Sequence, residues 1–98
     1  MKRITISNLR KKVDELNAEY GLSKTSACYI DILCAYGGYQ VVIRVNKKFD
    51  NYCREITHGF QSARETLMDL ITAEFYYNLE EDVKGFCNRV INYHNRRN

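Results

Sequence analysis

Two β-forming runs flank a glycine pair between Cys28 and Asn46, in the order C-Y-I-D-I-L-C-A-Y-G-G-Y-Q-V-V-I-R-V-N, and no other stretch constrains the fold as tightly. A Gly-Gly pair suits a two-residue hairpin loop, because a type I′ turn needs positive φ at both central residues. With Gly37 and Gly38 in the loop, Tyr36 faces Tyr39, Cys34 faces Val41, Ile32 faces Ile43 and Ile30 faces Val45. One face of the hairpin is then almost wholly apolar, and Asp31 pairs with Arg44 on the other. A one-residue slip would carry every apolar side chain to the wrong face, so the two faces together argue for an antiparallel pair.

The remaining elements follow from spacing and boundary signals. Leu9, Val13, Leu16 and Tyr20 form a narrow stripe between Ser7, a possible N-cap, and Gly21, a possible left-handed C-cap; a surface helix over Asn8 to Tyr20 is predicted. Asn46 to Asn51 reads as a turn, and Tyr52 to His58 as a third strand at an edge, where Arg54 and Glu55 are tolerated. Ser62-Ala63-Arg64-Glu65 is a capping box opening a second helix, with Leu67, Leu70, Ile71 and Phe75 as its expected core face. Asn78 caps a third, carrying Leu79, Val83, Phe86, Cys87, Val90, Ile91 and His94. The expected fold is α+β, α-β-β-β-α-α, a three-stranded antiparallel sheet packed against helices.

At 98 residues, with 45% hydrophobic and 28% charged side chains, the chain has enough apolar surface for one core and reads as a single α+β domain over residues 1–98. No run approaches the ~18 apolar residues of a membrane span, and the start of the chain has no apolar segment of signal-peptide length, so a cytoplasmic location is expected. Cys28, Cys34, Cys53 and Cys87 lack the close pairing of zinc ligands. Cys28 and Cys34 would sit roughly 20 Å apart along one strand, too far for a disulfide. Reduced, buried thiols without a metal are expected.

No catalytic signature stands out. His58 and His94 occur outside any nucleophile or metal motif, and the glycine pair lacks the Lys-Ser/Thr and following helix of a phosphate loop. A non-enzymatic protein without a cofactor is the reading. Charge is more informative: residues 1–58 hold ten Lys/Arg against six Asp/Glu, residues 59–98 five against six, and no basic residue but Arg64 precedes Lys84 in that second part. Around the junction of the second and third helices, Glu74, Tyr76, Tyr77, Glu80, Glu81 and Asp82 form a candidate protein-binding surface, since tyrosine beside acids suits an interface. Lys47, Lys48 and Arg54 form a competing candidate for nucleic acid, on the strand surface.

Two segments, Ala35 to Asn46 and Gly59 to Ala73, resemble small bacteriophage and prophage proteins of no settled function. The element order and the run Val42-Ile43-Arg44-Val45-Asn46 ahead of a turn also resemble a small phage anti-CRISPR protein that inhibits an RNA-guided nuclease. The resemblance implies an accessory protein that binds a host protein in the host cytoplasm, and it places any DNA-mimicking role on Glu65 to Asp82.

Overall fold

The computed structural model describes residues 3–49 and 53–97; Asp50, Asn51 and Tyr52, which belong to the expected turn and third strand, lie outside the described residues. The elements are α1 (Ile6–Tyr20), β1 (Cys28–Ala35), β2 (Gly38–Val45), β3 (Cys53–Glu55), α2 (Ala63–Tyr76) and α3 (Leu79–Arg97), an α+β fold with strand order β1-β2-β3. All neighbouring strands are antiparallel.

The hairpin forms, but its turn lies one residue earlier than the glycine pair suggests. Tyr36 and Gly37 occupy the loop at φ 54° and 74°, and the pairs are Ala35 with Gly38, Cys34 with Tyr39, Ile32 with Val41 and Ile30 with Ile43. Each partner has moved by two residues, which preserves the faces. Ile30, Ile32, Val41, Ile43 and Val45 share the core face as expected. The Asp31 to Arg44 ion pair survives as a diagonal contact of 2.8 Å, joined by Arg10 of α1 at 3.4 Å. Burial opposes ionisation of Asp31, but the Ile32 N–H and the Arg44 and Arg10 guanidinium groups outweigh it and hold the carboxyl below its ordinary range.

Gly38 explains the shift. A Cβ on Gly38 would sit 2.9 Å from the backbone of Phe60 and Gln61, because the chain entering α2 lies directly against it. Tyr39 and Gln61 exchange two backbone hydrogen bonds there, of 2.8 and 3.0 Å. Tyrosine in the left-handed region costs about 1–2 kcal/mol. Two hydrogen bonds at about 0.5–1.5 kcal/mol each, with the ring of Tyr36 set edge-on to Phe60 at 5.6 Å, offset that strain.

Side chains close the outer edge of β1 and end the β2–β3 ladder. Asn17 of α1 bonds the N–H and the carbonyl of Ile30, each at 2.8 Å, so the middle of β1 is closed to another strand. Across the sheet, the N–H groups of Ile56 and Thr57 both donate to the Val41 carbonyl, while the buried Thr57 hydroxyl accepts the Val41 N–H at 2.9 Å. The third strand therefore ends at Glu55 rather than His58. A side chain has replaced the ladder.

Helix boundaries follow their caps. Asn8 accepts the Thr5 N–H at 2.9 Å, so α1 starts two residues before the expected position, and Gly21 closes it in the left-handed conformation. Ser62 accepts from the Glu65 N–H, and Asn78, at φ 49°, opens α3. The distribution of burial differs from expectation. Leu9, Val13, Leu16 and Tyr20 of α1 and Leu79, Val83, Phe86, Cys87 and Val90 of α3 fill the core, while α2 adds Leu70 with Leu67 and Ala73 at its margin. Phe75 is exposed, a correction with a geometric cause: α2 is anchored through Thr66, Leu70 and Ala73, and Phe75 lies about 140° round the helix from Leu70.

Gly38→Ala is expected to destabilise the protein by about 1–3 kcal/mol in urea unfolding, because the methyl group has only backbone to displace. Gly85→Ala in α3, where a Cβ meets nothing nearer than the Arg89 side chain at 3.5 Å, should instead stabilise by about 0.5–1 kcal/mol. Equal effects at the two glycines would refute the close-approach argument.

Candidate functional site

The acidic stretch is folded into pairs. Glu74 turns back beneath α1, where its carboxylate meets Lys12 Nζ at 2.7 Å with both side chains largely buried. Burial, then the negative charges of Glu74, Glu19 and Glu80, push the Tyr20 hydroxyl up to about 12. Glu80 meets Lys84 at 2.6 Å one turn along α3, and Asp82 meets Arg54 of β3 at 3.1 Å. Glu81 is bonded by the amide of Asn78 at 2.8 Å and meets no cation among the described residues. Three of the four candidate acids are thus neutralised by cations from α1, β3 and α3, which leaves a weak field where a strongly negative surface was expected.

The same contacts divide the competing basic site. Arg54 projects from the core face of β3, bridges to Asp82 and lies over the Phe86 ring at 5.4 Å. Lys47 and Lys48 are exposed in the turn after β2 and do not share its contacts. The outer face of the β1–β2 pair carries Tyr29, Asp31, Leu33, Gln40, Val42 and Arg44, with one aromatic ring and an arginine already paired. It is a poor base-stacking platform.

What the junction does present is aromatic. Phe75, Tyr76 and Tyr77, the end of α2 and its cap, are 75%, 81% and 74% exposed. Tyr77 lines a hollow of about 400 Å³ together with Arg54, Ile56, His58, Asp69 and Asp82. Met68, 54% exposed, sits two turns up the same helix. Of the sequence candidates, Tyr76 and Tyr77 are brought together as expected, while Glu74 is half-buried against α1. Phe75 and Met68 were missed; the available signal was that Leu67, Met68, Leu70, Ile71 and Phe75 cover more of the helix circumference than one buried stripe requires.

The thiols are separate from this surface. Cys28 and Cys87 lie side by side in the core, where the Cys87 thiol and burial push Cys28 up. All four cysteines are free, but only Cys28 and Cys87 are buried as expected; Cys34, near the hairpin turn, is exposed and Cys53 is half-buried, and no cluster of three or more potential metal ligands occurs among the described residues. No described helix is long and apolar enough to cross a membrane.

Comparison with protein-family profiles, curated proteins and solved structures finds no match.

Glu74→Ala is expected to lower stability by about 1–2 kcal/mol in urea unfolding, since it strands Lys12 against a half-buried surface, whereas Glu81→Ala should stay within about 0.5 kcal/mol of the parent. A neutral Glu74 variant would show that this acid belongs to the surface after all.

Proposed function

We propose that this chain is a non-catalytic binding protein of phage or mobile-element type that acts by docking on a host protein in the cytoplasm. The observation that carries the reading is the exposed run Phe75, Tyr76 and Tyr77. Large aromatics bury much apolar area with few rotatable bonds, and they dominate interface energetics when seated in a partner's hollows. Glu81, with Glu80 and Asp82 beyond it, supplies a polar rim. The rings supply the binding area.

The resemblance to phage accessory proteins makes an RNA-guided defence nuclease the first partner to test. The test immobilises the protein, passes purified nuclease complex over it, and compares three variants of matched circular dichroism spectrum. Phe75→Ser with Tyr76→Ser should weaken capture by about 30-fold or more, at roughly 2 kcal/mol for an interface anchor. Glu80→Lys with Glu81→Lys should weaken it a few-fold, and Lys47→Glu with Lys48→Glu should leave it unchanged. Capture that survives loss of the rings but fails on reversal of the lysines would favour nucleic-acid binding and overturn the proposal, as would no capture by the parent protein.

A further inference from the structure

The opposite end of α2 borders a second feature. Where the hairpin turn and the first turns of α1 and α2 splay apart, a cleft of about 890 Å³ opens, lined by Arg3, Ile4, Ile6, Tyr39, Arg64 and Met68. Its charged lining residues are both arginines, and no Asp or Glu lines it. Arg3 and Arg64 are exposed, and neither is paired with a described carboxylate. Lys11, Lys24, Lys47 and Lys48 also pair with no described carboxylate, but Arg3 and Arg64 differ from them in lining one cleft together with apolar side chains. The floor itself is accessible, with Ile6 and Met68 36% and 54% exposed.

The hairpin turn contributes Gly37 to the lining, with Tyr36 beside it. Tyr36 stands in the left-handed region and is 94% exposed, where Asn or Gly would form the same turn without the steric cost. Its ring meets Phe60 edge-on at 5.6 Å, which ties the turn to the chain entering α2.

We propose that this cleft binds an acidic peptide segment of a protein partner, with carboxylates on Arg3 and Arg64 and an apolar side chain between them on Ile6 and Met68. Charge complementarity selects the occupant. Arginine holds carboxylates through two parallel N–H donors, and the apolar floor rewards a side chain that a sugar-phosphate backbone lacks. Two arginines among the described lining residues make a small footprint for nucleic acid, whose affinity grows with the number of phosphates neutralised. Met68, the cleft residue nearest the aromatic end of α2, lies seven residues or about 10 Å along the helix from Phe75, and none of Phe75, Tyr76 and Tyr77 lines the cleft, so the two contacts can be tested separately.

The probe is a fluorescein-labelled hexapeptide, two leucines flanked on each side by two glutamates, titrated with the full chain and read by fluorescence anisotropy. Saturable binding is expected, lost by tenfold or more when glutamine replaces the peptide's glutamates and by tenfold or more in Arg3→Glu with Arg64→Glu. Met68→Ala should weaken it several-fold. Phe75→Ser with Tyr76→Ser should leave peptide binding intact, so failure here and failure of the aromatic surface are distinguishable. The proposal is overturned by no saturation up to millimolar protein, by equal binding of the glutamine peptide, by indifference to the two arginine reversals, or by tighter arginine-dependent binding of a labelled single-stranded DNA than of the peptide.

Discussion

The close approach of Gly38 to the Phe60–Gln61 backbone is the contact on which the arrangement depends. It draws the chain entering α2 against the hairpin, and the Tyr39 to Gln61 hydrogen bonds and the Thr66 hydroxyl on the Tyr39 carbonyl hold it there. With the start of α2 pinned, its rotation is set by Thr66 and Leu70 on the inner side. Met68, Phe75 and Tyr76 are then directed outward. An exposed apolar helix face is thus a consequence of one backbone contact at the hairpin.

Much of this was legible in the residues. Period-two alternation from Ile30 to Val45 gave the sheet faces, and the Ser62 and Asn78 caps gave the starts of α2 and α3. The exact turn was not legible, because Gly37 and Gly38 are equivalent to any local rule and only a segment more than twenty residues away distinguishes them. The same limit hid the fate of the acids. Glu74, Glu80 and Asp82 have no cation before them in their own stretch, yet Lys12 and Arg54 reach two of them from α1 and β3 and Lys84 meets the third. Local charge counting misses partners supplied by the fold.

Those pairs change how the candidate site is understood. The two surfaces suggested by sequence, acidic and basic, are joined at the Arg54 to Asp82 bridge, so neither presents its full charge. Along α2 the surface presents rings at one end and a cleft with two arginines at the other. Binding of a protein partner uses such features more readily than catalysis or nucleic-acid readout does.

The central claim is that the rings at the end of α2 serve a partner and not the fold. Urea unfolding of a variant with Phe75, Tyr76 and Tyr77 all changed to serine measures this directly, because the slope and midpoint separate a change in stability from a change in the surface buried. The account expects stability within about 1 kcal/mol of the parent and an unchanged slope. A loss of about 3 kcal/mol or more would mean that these side chains hold the structure together, and would contradict it.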